Sequence, residues 1–245
     1  MNKIGMEIKM KIWHISDTHT YHRSILIPTY YDGSIDTVVH SGDATTSRNS
    51  IENTKELLGF LDWFKNLPFK NKIFVAGNHD VVTERFRYWP EDIEGLGIHY
   101  LENNHVIIDG VKIWGSPYTP SFGKGWAWNM SRNKINRVWE AIPKDTDVLV
   151  THGPPKGILD HTLDKNGDLK SVGDSSLYKA ICKTELQAHL FGHVHNSKWI
   201  KNSGVFISGE RWSKNIIKYS NGSVVEDGKG VEHLQSWGNV IDVNN

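Results

Sequence analysis

The sequence predicts a layered α/β fold, and three observations carry that prediction. Short apolar, β-branched runs stop in polar loops at Ser16-Asp17-Thr18-His19, Ser41-Gly42-Asp43 and Gly77-Asn78-His79-Asp80. Between the second and third loops the hydrophobic period changes from that of a strand to that of a helix. Two further apolar runs end the same way, at Thr151-His152-Gly153 and at Phe191-Gly192-His193-Val194-His195. Strand, helix and strand in that order are the pattern of a right-handed crossover layer.

The elements follow in chain order. Ile8 to Ile15 alternates Ile8, Met10 and Ile12 with Lys9, Lys11 and Trp13, as a strand does, while Met1 to Glu7 reads as a short edge or a disordered start. Thr37 to His40 suits a buried strand. Asn49 to Leu67 reads as a helix with Leu57, Phe60, Leu61 and Phe64 on one face, a cap at Asn49 or Ser50, and Pro68 beyond its end. Lys72 to Ala76 is the third strand. Gly97 to Leu101, Val106 to Asp109 and Val111 to Trp114 are short strands, the last two joined by the hairpin signal Asp109-Gly110. Ser131 to Ile142 predicts a helix stopped by Pro143, Asp147 to Val150 a strand, and Ser176 to Lys183 a helix feeding the run at Leu186 to Phe191. From Lys198 onward, alternating segments split by Asn-Ser-Gly and Asn-Gly turns predict a terminal β meander, and the last dozen residues receive no assignment. With no repeat and no linker, residues 1–245 are expected to form a single domain without a cap domain.

Composition narrows the functional classes. At 245 residues and 38% hydrophobic content the chain can bury a full core. Lys+Arg and Asp+Glu both total 28, so no basic field is available to draw in long polyanions or an anionic membrane. The single Cys182 excludes an internal disulfide, no N-terminal segment has a signal-peptide core, and no run approaches the roughly 18 apolar residues of a membrane span. A cytoplasmic protein with no membrane partner is expected.

The strand ends collect Asp17, His19, Asp43, Asn78, His79, His152, His193 and His195, all oxygen or imidazole donors. His193 and His195, two apart, project to one side of an extended segment. In layered α/β folds the carboxyl ends of neighbouring strands converge, so these loops can share one site. Singly, each residue has an ordinary reading as a loop cap or turn donor. Together they exceed the needs of one cation and suit two that share Asp43 as a bridge. The donor set fits Mn, Fe, Zn or Ni, and the absence of thiolate argues against a structural zinc site.

At this point the chain resembles a known family. Asp17-x-His19, Gly42-Asp43, Gly77-Asn78-His79-Asp80, His152 and Gly192-His193-x-His195 match in order and type the five blocks of the calcineurin-like metallophosphoesterases. The runs Ser41 to Thr45 and Thr151 to Asp160 look most like the small branch of metallophosphoesterase-domain-containing phosphodiesterases. Some members of that branch carry Gly in the final block and bind metal poorly, whereas this chain keeps His193.

The resemblance implies a four-layer αββα sandwich, two mixed sheets flanked by helices, with two divalent cations, Mn first and Fe, Zn, Ni or Mg as alternatives. One cation would be held by Asp17, His19, Asp43 and His195, the other by Asp43, Asn78, His152 and His193. His79 would lie outside the ligand set and either donate a proton to the leaving alkoxide or stabilise the phosphoryl charge, with Asp80 orienting its ring. The implied reaction is phosphodiester hydrolysis by a metal-activated hydroxide, with a small or cyclic nucleotide as substrate. Two alternatives stand beside it. One is a nuclease or phosphatase acting on nucleic acid ends, which would need a basic groove from Lys124, Arg132, Lys134 and Arg137. The other is a non-catalytic scaffold of the same fold. Many relatives dimerise, so a homodimer is also open.

Four residues are further substrate candidates. The loop from Ser116 to Met130 carries Phe122, Trp126 and Trp128, which either stack a nucleobase or cover an edge of the sandwich. His22, just beyond Asp17-x-His19, either reaches substrate or packs. His14, His40, His99, His105, His161, His189 and His233 are read as structural.

Overall fold

The computed structural model describes residues 8–28, 34–86, 89–197, 199–208, 216–226, 233–234 and 236–244, so the expectation for Met1 to Glu7 lies outside the described residues. In chain order the elements are β1 (Ile8–Ile15), β2 (Thr37–His40), α1 (Ser50–Lys65), β3 (Asn71–Phe74), α2 (Val81–Arg85), α3 (Trp89–Glu94), β4 (His99–Tyr100), β5 (Asn104–Ile108) and β6 (Val111–Ser116). They continue with β7 (Thr119–Pro120), β8 (Asn129–Met130), α4 (Asn136–Trp139), β9 (Val148–Thr151), β10 (His161–Leu163), β11 (Leu169–Ser171), α5 (Ser175–Ile181) and β12 (Ala188–Phe191). The last are β13 (Gly204–Ser208), β14 (Ile217–Asn221), β15 (Val225–Glu226), β16 (His233–Leu234) and β17 (Asn239–Asn244).

Two mixed sheets pack face to face, one in the order β17-β1-β2-β3-β4 and the other in the order β13-β14-β12-β9-β6-β5. The strands are apolar on both faces because both are covered. In β1 to β3, Ile12, Val39 and Ile73 point between the sheets to meet Ile113, Val148, Val150 and Leu190. Their sequence neighbours Trp13, Val38 and Phe74 point outward onto Leu57, Phe60 and Phe64 of α1. On the far side Trp114, Leu149 and Phe191 pack under Trp139 of α4 and Leu177 and Ile181 of α5. Helix, sheet, sheet and helix therefore stack as four layers. Phe60 of α1 is fully buried in this packing, and truncating it to Ala would cost about 3–5 kcal/mol.

The Asn49 side chain caps α1 by accepting from the N–H groups of Ile51 and Glu52. The helix expected from Ser131 to Ile142 contracts to α4, because its start is taken by bonds such as Lys134 N–H to the Ser131 carbonyl and by the Ser131 hydroxyl to Asn133. The expected terminal meander is also corrected. β13 and β14 pair antiparallel in one sheet, but β17 crosses to the other and runs antiparallel to β1. Trp199-Ile200 forms no strand, only an isolated bridge between Ser197 and Ile200.

Candidate metal centre

β1, β2 and β3 are parallel, as are β9 and β12, so their carboxyl ends lie at one edge. The two sheets are bound together just beneath that edge. His14 in β1 bridges them, with Nδ1 2.7 Å from Ser220 Oγ in β14 and Nε2 2.9 Å from Ser41 Oγ after β2. The chain then turns sharply: Asp17, His19, Asp43 and His193 all have φ between 39° and 68°, a left-handed conformation that costs a non-glycine residue on the order of 1 kcal/mol or more. Close packing of the turns also requires glycine at 77, where a Cβ would strike Asp43 and lie 2.7 Å from His152 Cε1.

These turns bring the strand ends together. Asp17, His19 and His195 form one group of donor atoms within 4.8 Å of one another, Asp43, His152 and His193 a second, and His19, Asp43 and His79 a third that joins them. His195 Nε2 lies 3.1 Å from Asp17 Oδ1 and 3.4 Å from His19 Nε2. His152 Nε2 lies 3.0 Å from Asn78 Oδ1 and 3.2 Å from Asp43 Oδ2, and the same Asp43 oxygen is 4.0 Å from His19 Nε2. Asp43 thus stands between the two groups.

The donors fit a pair of divalent cations. A backbone carbonyl only accepts, so His19 Nδ1 donates to the Thr45 carbonyl at 3.0 Å and His152 Nδ1 to the Ser41 carbonyl at 2.9 Å. Each Nε2 thereby becomes the ring atom that could coordinate a cation. Burial pushes the pKa of His19 down to about 4 and of His193 to about 3, which keeps both rings neutral. Burial also lowers His152, but the adjacent Asp43 carboxylate outweighs it and lifts that ring to about 9. For Asp17 and Asp43 burial raises the carboxyl pKa, and the neighbouring His195 and His152 more than reverse it.

His79 sits at the rim. Its Nδ1 donates to the Thr46 carbonyl at 3.1 Å, and its ring lies edge-on to His19 at 4.6 Å. Asp80 corrects an expectation, since its carboxylate does not touch that ring. It accepts instead from the N–H groups of Gly77, Asp43 and Thr45 at 2.8, 3.0 and 3.0 Å and from the Thr45 hydroxyl at 2.9 Å. Asp80 therefore braces the loop that presents Asp43, and burial raises its pKa to about 6.

The aromatic loop divides. Trp126 lies 4.6 Å from His79, Phe122 lies 5.0 Å from His193, and the Arg48 guanidinium covers Trp126 at 4.8 Å. Phe122 is 52% exposed. Trp128 is fully buried and donates to Thr83 Oγ1 at 2.9 Å, so it is wall and not platform. His22 is likewise removed from the substrate candidates, because its ring is buried against Phe60 and Trp63. Arg132 is drawn away from any basic groove by the Val172 and Gly173 carbonyls and by Asp174 at 3.5 Å. Sequence reasoning missed Arg48 and Asn53. The signal for Asn53 was a polar residue on the Leu57, Phe60, Leu61, Phe64 face of α1.

The family profile described as calcineurin-like phosphoesterase matches residues 10–197. A protein of Emericella nidulans named probable rhamnogalacturonate lyase C is 36% identical over 193 residues, covering 74% of this chain and 16% of that one. Human metallophosphoesterase domain-containing protein 1 is 31% identical over 214 residues, covering 78% of this chain and 62% of that one. The chain thus spans less than two thirds of the length of either relative. A solved crystal structure superposes with a TM-score of 0.66 over 88% of this chain and 90% of its own, at 14% identity, a likeness that concerns the fold alone.

Proposed function

The chain belongs to the calcineurin-like phosphoesterase family, in the branch of the metallophosphoesterase-domain-containing proteins, and on that footing we propose that it is a metal-dependent phosphodiesterase acting on a small, preferably cyclic, nucleotide. Asp17, His19, Asp43 and His195 would hold one divalent cation and Asp43, Asn78, His152 and His193 a second. Bound there, the pair supplies positive charge for the phosphoryl oxygens and lowers the pKa of a water from 15.7 to roughly 7. Mn²⁺ is the cation we expect to serve first, with Fe, Zn, Ni or Mg as alternatives.

The chain's own groups do the rest. His79, held through Nδ1 by Thr46, uses its other ring nitrogen to protonate the leaving oxygen. Asn78 Oδ1 lies 3.0 Å from His152 Nε2 and the His193 ring 4.9 Å from the His152 ring, so the second group of donors is contiguous. Asp17, His19, Asp43, Asn78 and His152 are buried, which strengthens the charge interactions among them, while His79, His193 and His195 are only half-buried.

The observation that carries the nucleotide reading is the pair Phe122 and Trp126, 5.6 Å apart, set directly against His193 and His79. An exposed aromatic surface beside the reacting groups suits a nucleobase, and stacking of one base is worth about 1–3 kcal/mol. The test is a ranking of Mn²⁺-loaded turnover on 2′,3′-cAMP, 3′,5′-cAMP and p-nitrophenyl phosphate, repeated with Phe122→Ala and Trp126→Ala. A rise in KM of about tenfold or more for the nucleotides is expected. An unchanged KM, or preference for the monoester, would contradict the reading.

A further inference from the structure

Asn53 is the polar member of an otherwise apolar helix face, buried with Leu57, Phe60, Leu61 and Phe64. Its side-chain oxygen accepts from the Val82 N–H at 3.1 Å, which fixes the amide and turns its nitrogen toward three acceptors. These are Thr45 Oγ1 at 2.8 Å, the Ser47 carbonyl at 2.6 Å and the His79 carbonyl at 2.8 Å. The first two belong to the loop after β2, the third to the loop after β3. Between Thr45 and Ser47 lies Thr46, whose carbonyl receives His79 Nδ1. One buried amide therefore ties down both the backbone of His79 and the peptide that orients its ring.

We propose that Asn53 is a positioning residue for proton donation by His79, an inference that rests on the phosphodiesterase reading above. As the bond from phosphorus to the leaving alkoxide breaks, its electron pair stays on that oxygen and takes the His79 proton. The bond from phosphorus to the attacking water oxygen forms, and the proton that water releases passes to solvent, from which the imidazole is reprotonated. Asn53 touches none of these atoms. It acts through two carbonyls on the direction of one N–H, and a displacement of about 1 Å at a catalytic group can cost about 100-fold in rate.

The experiment separates this role from a merely structural one by leaving group. Mn²⁺-loaded full-length wild type, Asn53→Ala, Asn53→Ser, His79→Ala and the Asn53→Ala/His79→Ala double variant are assayed on thymidine 5′-(p-nitrophenyl phosphate) and on the dinucleotide thymidylyl-thymidine. p-Nitrophenolate departs without a proton, whereas the alkoxide of the dinucleotide needs one. His79→Ala is expected to lose about 100-fold more kcat on the dinucleotide than on the aryl ester, and Asn53→Ala about tenfold more. In the His79→Ala background Asn53→Ala should add nothing to that difference. Asn53→Ser, which keeps one hydroxyl donor, should fall between wild type and Asn53→Ala and carries the test should the alanine variant not fold. Equal losses on both esters, or a multiplicative loss in the double variant, would overturn the role of Asn53. A wild type that cleaves neither ester and neither 2′,3′-cAMP nor 3′,5′-cAMP overturns the parent reading, and the wild-type arm shows this before any variant is compared.

Discussion

The backbone N–H of His193 donates to both oxygens of the Asp17 carboxylate, at 3.1 and 2.9 Å, and so joins the end of β12 to the end of β1 across the two sheets. The residue before it permits this approach only as glycine, since a Cβ at Gly192 would run into Ser16 Oγ and Asp17 Oδ2. Gly192→Ala should therefore cost about 1–3 kcal/mol in urea unfolding and weaken cation binding through the displaced Asp17. Unfolding curves and Mn²⁺ calorimetry on the same preparation check both effects, and wild-type values for both would show that the junction tolerates a methyl group.

Asp43 and His195 should differ in their effect on metal content. His195 closes only the group around Asp17, whereas Asp43 faces both groups. In chelated and reloaded protein, His195→Ala should retain about one equivalent of Mn²⁺ by elemental analysis, and Asp43→Asn less than one, against about two for the wild type. Equal stoichiometries in the two variants would contradict the bridging place of Asp43.

The two tryptophans of one loop should separate cleanly. Trp128 is enclosed and hydrogen-bonded to Thr83, so Trp128→Ala should lose about 3–5 kcal/mol of stability. Trp126 lies at the rim under Arg48, so Trp126→Ala should leave stability within about 1 kcal/mol while raising KM for a nucleotide. Thermal melts paired with steady-state kinetics distinguish the two.

What the sequence made legible follows from the range of each signal. β1 and β2 are read at their observed bounds because the alternation of β1 and the β-branched run of β2 are direct strand signals. The donor residues were legible as strand-end polar blocks. α2 and α3 span five and six residues and each strand of the β10/β11 ribbon three, too few for a period to show. β17 escaped because Ile241 and Val243 gain their burial from pairing with a strand more than 200 residues away. The partner of Asp80, and the choice between stacking and packing for Trp128, escape the sequence for a related reason: which partner a carboxylate or an indole N–H meets is set by loop packing that the sequence pattern does not carry.

Acid should destabilise the fold through its buried neutral histidines. His189 in β12 is fully buried, with Nε2 2.8 Å from Thr151 Oγ1, and burial drives its pKa from 6.5 down to about 3. The unfolded chain takes up that proton near pH 6.5 and the folded chain only near pH 3. Stability present above pH 6.5 is therefore lost as pH falls toward 3, by about 1.4 kcal/mol per unit from this residue. Unfolding of chelated wild type and His189→Gln between pH 7 and 4 should show a shallower slope for the variant, and parallel slopes would contradict the assignment.

The most direct measurement is turnover of bis(p-nitrophenyl) phosphate by the chelated protein before and after Mn²⁺ is restored, with Asp43→Asn alongside. Hydrolysis should appear with the metal, vanish with the chelator and fall by at least about 100-fold in the variant. Turnover that is indifferent to chelation, or equal in Asp43→Asn, would contradict a metal-dependent phosphodiesterase built on these strand ends.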